Sequence, residues 1–184
     1  MIRGLALVVS LMLALTGGGW AQQLGVPVAP VLTIESETLF ARSMFGQRVA
    51  REIAAEQSIL LAENRRIEAE LTAEERVLTD RRKAMSATDF RAVADAFDAR
   101  VEEIRTQQDN KSREIAQRQE QEQSRFIQAA RPVLAELMRE AGASVILEQR
   151  TVLLSDKAVD VTEKAIQRLN TAIGDGTTLD PERQ

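Results

Sequence analysis

Apolar positions recur along the middle of the chain with a helical rhythm. Ile53, Leu60 and Ile67 lie seven apart, as do Leu71, Leu78 and Met85, and the two rows are offset by four. Phe90, Phe97 and Ile104 open a third row, with Ala94 and Val101 beside it. Such spacing gathers apolar side chains on one face and predicts two long helices packed on each other. The rows are broken, however. They also hold Gln57, Asn64, Glu74 and Arg81, and between Arg105 and Arg125 only Ile115 and Ala116 are apolar. A seam this interrupted cannot hold a tight coiled coil along its length, so the helices are expected to pack loosely and bend.

Punctuation sets the ends of these helices. From Gln47 to Arg131 neither Gly nor Pro occurs, and the stretch carries 16 Lys/Arg and 17 Asp/Glu. One helix of that length would run roughly 130 Å, so a fold-back is expected. Ser86 and Asp89 have the spacing of a capping box, and Thr88 is an alternative cap. The pattern predicts helices over about 41–85 and 89–141, forming an antiparallel hairpin with its tip near 82–89. Pro132 falls inside the second helix. Its missing N–H and the clash of its ring are expected to kink the helix and make a hinge. Gly142 is placed to stop it.

The flanking segments have a different rhythm. Val31–Ile34, after Pro27 and Pro30, predicts a strand. Residues 144–147 and 151–154 are short apolar runs joined across Glu148-Gln149-Arg150, which predicts a β-hairpin. Asp160 to Glu163 is expected to cap a terminal helix with Ile166, Leu169 and Ile173 on one face, stopped by Gly174. The fold class is therefore α+β, mostly α. A small body of three strands per chain (31–40 and 132–173) carries a helical-hairpin arm over 41–131, and residues 174–184 are a disordered tail. Three short strands are marginal alone, so oligomerisation is expected.

Composition narrows the chemistry. The segment from Met1 to Ala21 has a basic start at Arg3, an apolar run from Leu5 to Leu15, and small residues at Gly19 and Ala21. It predicts a secretory signal peptide cut after Ala21, leaving 22–30 as a linker. Read as an uncleaved anchor, the same run is short of the roughly 20 apolar residues a span requires. From Gln22 onward, with Arg3 lost, the chain carries a charge of −5 and contains no His, Cys, Tyr or Trp. Disulfides, thiolate or imidazole catalysis and His/Cys metal sites are thereby excluded. An acidic balance argues against a nucleic-acid partner. No enzyme and no cofactor are expected.

Three constellations remain. Glu68/Glu70, Glu74/Glu75 and Glu102/Glu103 are interleaved with arginines, which marks a solvated helix face rather than a metal or acid–base pair. Arg81-Arg82-Lys83 at the tip is a possible contact for anionic lipid, although such recognition usually takes about four to eight basic charges. Leu78, Met85, Phe90, Val93 and Phe97, toward the tip, form a candidate binding surface for unfolded clients, since flexible apolar groups repack around varied partners. They serve equally to close the hairpin.

Two parts of the sequence carry a family resemblance. One is Val31-Leu32-Thr33-Ile34 followed by Leu39-Phe40 and Ser43-Met44-Phe45-Gly46-Gln47. The other runs from Pro132-Val133-Leu134 through Ala141-Gly142-Ala143 to Ser144-Val145-Ile146-Leu147, then Val152-Leu153-Leu154, Asp160-Val161-Thr162 and Ile166 to Asn170. In these the chain resembles the Skp/OmpH family of periplasmic chaperones, over about Val31 to Asn170. The resemblance implies a homotrimer with three helical tentacles around a cavity. It also implies a role in holding unfolded outer-membrane proteins without ATP, on their way to the outer-membrane assembly machinery. Trimerisation is then expected through Ile34, Val145, Leu147, Val152 and Leu154. The acidic charge departs from many relatives, which are basic, and suits weak multi-contact holding more than electrostatic capture. A periplasmic coiled-coil adaptor for a folded partner is the alternative reading.

Overall fold

The computed structural model describes residues 30–179. The signal peptide, its cut after Ala21 and the linker up to Ala29 lie outside the described residues. In chain order the elements are β1 (Val31–Ile34), α1 (Ser36–Arg42), α2 (Met44–Arg81), α3 (Ala87–Glu140), β2 (Val145–Glu148) and α4 (Thr162–Ile173). Short 3-10 turns cover Arg82–Ala84, Gln149–Thr151, Lys157–Val159 and Thr177–Leu179. Helices α2 and α3 have 38 and 54 residues, about 57 and 81 Å at 1.5 Å per residue.

The reversal between α2 and α3 is made by the Arg82–Ala84 turn and by Ser86. The Ser86 hydroxyl accepts from the Asp89 N–H at 3.2 Å and donates to the Asp89 carboxylate at 2.7 Å, so the cap is set by two residues of one turn. At its other end α3 passes through Pro132 as continuous helix and stops at Gly142, whose φ is 61°. There Gly142 N–H donates to Arg139 and Ala143 N–H to Met138, the paired closing bonds of a Schellman stop.

The strands depart from the expected hairpin. β1 and β2 pair in parallel, with Val31 opposite Val145 and Ile34 opposite Glu148. Residues 152–154 form no strand, and the place beside β1 is taken by a bridge between Thr33 and Asp160. The physical reason lies in the connection. A tight hairpin needs residues that accept positive φ, and Glu148-Gln149-Arg150 offers none. A parallel partner needs a long crossover, which the returning arm supplies. The Asp160-Val161-Thr162 segment likewise does more than start α4. Val161 N–H donates to the Thr33 carbonyl, and the Thr162 hydroxyl accepts from Glu35 N–H at 2.9 Å while donating to Asp160.

One apolar core joins Ile34, Leu39, Phe45, Val49, Ile53, Phe126, Ala130, Leu137, Ala165, Ile166 and Leu169. It reaches past the expected edges of the body, up to Ile53 on α2 and Phe126 on α3. Ile34 is spent inside this core, which corrects its expected place on an intersubunit surface. Phe40, Phe45 and Phe126 meet with ring centroids 5.1 to 6.4 Å apart, edge to face or tilted as aromatic quadrupoles favour. The elbow between α1 and α2 depends on Gly46. A Cβ there would lie 1.8 Å from the Phe40 carbonyl oxygen, so a side chain would push α2 off its seat. Ser43 caps α2 through Gly46 N–H, and Asn170 of α4 accepts from Met44 N–H at 2.8 Å. The tail expected to be disordered is, through Leu179, folded back on this core.

Candidate functional site

The arm is held along its seam by alternating apolar and ionic contacts. On α2 the half-buried or buried line runs Ile53, Glu56, Leu60, Glu63, Ile67, Leu71, Glu74 and Leu78. Opposite it on α3 run Phe97, Val101, Ile104, Gln108, Lys111 and Ile115. Spacings of three and four keep both lines on facing sides. The polar members pair across the seam. Arg118 bonds Glu56, Lys111 bonds both carboxylate oxygens of Glu63 at 2.7 and 2.8 Å, and Arg100 bonds Glu74. The three rungs share one antiparallel register, since seven residues forward from Glu56 to Glu63 are matched by seven back from Arg118 to Lys111. Eleven more reach Glu74 and Arg100. The Lys111 hydrogen bonds hold the Glu63 carboxyl below its ordinary value, with a further contribution from Gln108.

At the root, Arg48 of α2 and Glu122 of α3 form a buried pair at 2.7 Å. Farther out the packing opens. A groove of about 460 Å³ lies between the helices, lined by Ile59, Leu60, Lys111 and Ile115 among others. A second, of about 660 Å³, involves Ile67, Leu71, Phe97, Val101 and Ile104. Loose packing of this kind is what the broken heptads predict.

The candidate residues divide by exposure. Leu78 is buried, so it closes the hairpin and is not a free client contact. Met85, Phe90, Val93 and Phe97 are half-buried. Arginine guanidiniums lie over two of the rings, Arg82 over Phe90 at 5.4 Å and Arg100 over Phe97 at 5.8 Å. Arg81, Arg82 and Lys83 are all exposed at the tip. Pro132 sits between the core residues Ala130 and Leu137, inside the part of α3 that packs on the body. Exposed large apolar side chains on the arm are Met44 and Ile127 near the root and, farther out, Ile59 (68% exposed), Leu61 and Val77, the last three not singled out by the heptad rows. They sit one position off those rows, beside Leu60 and Leu78, and that offset was their available signal. Ile59 and Val77 are eighteen positions, five full turns, apart and share a face.

On the body, Val145 and Leu147 of β2 are exposed beside Val31 of β1, and Leu153 and Leu154 (89% exposed) stand in solvent on the loop that follows. Val152 is half-buried. This is a contiguous stretch of chain with an apolar surface that the protomer does not itself cover. Among the described residues no group of three or more His, Cys, Asp or Glu could hold a metal ion, and no helix is long and apolar enough to cross a membrane.

Comparison with known proteins follows the same outline. A family model described as outer membrane protein (OmpH-like) matches residues 30–169. No curated protein matches the chain. Among solved structures, a candidate outer membrane chaperone (OmpH-like) from Caulobacter crescentus superposes with a TM-score of 0.73 at 18% identity, covering 82% of this chain and 89% of its own. At that identity the likeness speaks for the fold.

Proposed function

This chain belongs to the OmpH-like family, and from that premise we propose that it is an ATP-independent periplasmic holdase for unfolded outer-membrane proteins. The observation that carries the reading is the arm: two long helices, loosely joined, that leave Ile59, Leu61 and Val77 exposed and Met85, Phe90, Val93 and Phe97 half-covered. An unfolded β-barrel segment presents alternating apolar side chains, and scattered apolar contacts on an arm hold such a chain weakly at many points. Weak contacts become strong binding only when several arms act on one client. The protomer is accordingly read as one third of a homotrimer, joined through Val145, Leu147, Val152 and Leu154, exported by cleavage after Ala21. Space between the arms is adjusted by bending at Pro132 and along the apolar-poor 105–125 stretch. Arg81, Arg82 and Lys83 place basic charge at the tip, where an anionic lipid surface or the outer-membrane assembly machinery would be met.

Leu147→Asp with Leu154→Asp tests the reading, because both side chains are exposed in the protomer and neither is needed for its core. The expected outcome is a monomeric, helical protein that no longer suppresses aggregation of an unfolded barrel protein. A monomer that holds the barrel at full strength overturns the multi-arm mechanism. A wild-type protein that ignores unfolded barrels and forms a fixed-stoichiometry complex with a folded partner replaces it with the adaptor reading.

A further inference from the structure

The chain beyond α4 turns back on the root of the arm. Gly174 and Gly176 have φ of 57° and 77°, left-handed backbone that redirects the chain within a single turn. Gly176 is buried, and a Cβ on it would lie 2.1 Å from Phe45 Cδ2. Its backbone therefore lies directly on the phenyl ring, and only glycine fits there. One residue earlier, the Asp175 carbonyl accepts from Arg48 Nε at 2.8 Å. The Asp175 carboxylate accepts from the N–H and the hydroxyl of Thr177, at 3.1 and 2.8 Å, which fixes the turn that follows.

Arg48 is the point where three elements meet. Its guanidinium lies 4.8 Å from the Phe45 ring centroid. Nη1 donates to Glu52 at 2.9 Å, Nη2 to Glu122 at 2.7 Å, and Nε to the returning tail. One side chain thus ties both arm helices to residues 174–179. Those residues lie beyond the 30–169 family match, whereas Phe45, Arg48, Glu52 and Glu122 lie within it.

We propose that residues 174–179 are a clamp that limits how far the arm swings at its root. Seated, the clamp covers Phe45 and gives Arg48 Nε its acceptor, keeping the Arg48–Glu122 contact dry. A dry ion pair is screened little by solvent, so it holds the two helices in one relative position. Unseated, Phe45 meets water, Arg48 Nε loses its acceptor, and the link between the helices is hydrated and weakened. The arm then moves relative to the body at its root. Motion of the arm at its root is independent of what the arms hold.

The chain has no cysteine, so paired spin labels can be introduced at Arg76→Cys on the arm and Lys157→Cys on the body. Labelled chains diluted into unlabelled protein report the distance within one protomer. Two unclamped variants are compared with the parent: Gly176→Val, and a chain stopped after Gly174. In both, the width of the arm-to-body distance distribution is expected to at least double, helix content to stay unchanged, and amide exchange over 44–53 to speed up. Faster exchange over 44–53 with a distribution of parental width overturns the clamp. So does Gly176→Val with exchange unchanged, since valine could not then be displacing the tail. If Gly176→Val loses helix content, the shortened chain alone decides, by the same two readings.

Discussion

The root of the arm and its outer length are made of the same two helices but held by different forces. At the root, Phe40, Phe45 and Phe126 interlock with Val49, Ile53 and Ala130, and fully burying a large apolar side chain contributes about 1.5–3 kcal/mol. Beyond Ile53 the seam thins to one apolar residue per turn or fewer, separated by Glu56–Arg118, Glu63–Lys111 and Glu74–Arg100. Partly exposed ion pairs of this kind add little net stability, because ordering two long side chains and screening by salt offset most of the attraction. The root is therefore strong, because most of its stability comes from buried apolar rings. The outer arm is weaker, with few apolar contacts per turn. On the proposed holding role, the weaker outer arm is the part expected to yield to a client, and it is attached to the better-packed root.

The sharpest way to break this contrast is at the root. Phe126→Ala is expected to destabilise the protein by about 3–5 kcal/mol, as a buried aromatic deletion does, read by urea unfolding. A loss no larger than that of a surface substitution would show that the three rings are not the centre of the core.

Acid is expected to have a smaller effect, confined to the few carboxylates that partners hold below their ordinary values. Glu63 is held below the ordinary value of 4.5 by Lys111, so its contribution is complete above that value and disappears as the pH falls through the lowered one. Glu140 follows the same sign through Arg168, at the far end of α3. On acidification from neutral to about pH 3, amide exchange should therefore rise around Glu63 and Lys111, next to α4, and over the Asp175–Thr177 turn, whose carboxylate is likewise held below its ordinary value, before it rises in the apolar core around Phe126. Uniform acceleration would mean that the two regions share one stability.

The smallest change in stability is expected at exposed apolar side chains of the outer arm. Ile59→Ser with Val77→Ser alters two exposed side chains, so the unfolding free energy should stay within about 0.5 kcal/mol of the parent. Suppression of barrel aggregation should fall. A double variant that protects clients as well as the parent would move the client surface elsewhere.

Much of this division was legible in the sequence. Heptads at Ile53, Leu60, Ile67, Leu71 and Leu78, and the Ser86–Asp89 pair, marked two helices and a reversal, because helix periodicity and capping are local. The partners of Glu74 and Arg100 were not legible, since pairing across a hairpin depends on register. The apolar runs at 144–147 and 151–154 suggested a hairpin because they are adjacent. The absence of Gly or Asn between them was the contrary signal, and a distant strand took the place. Gly174 read as a stop, and Gly176 fell in the tail expected to be disordered. What they permit is backbone lying on the ring of Phe45, which belongs to the start of α2. Such a contact between opposite ends of the fold is one that no local pattern encodes.

The uneven spacing of the three rungs has a consequence for how the arm zips up. The steps are seven and eleven residues, so they work like the two scales of a vernier. Slide one helix past the other by any number of residues, and among these six side chains at most one acid meets one base. Only the native alignment matches all three together. An arm too weakly packed to reject misalignment by bulk alone thus carries a combination lock along its length, one that a sequence with evenly repeated charges would leave open at every heptad.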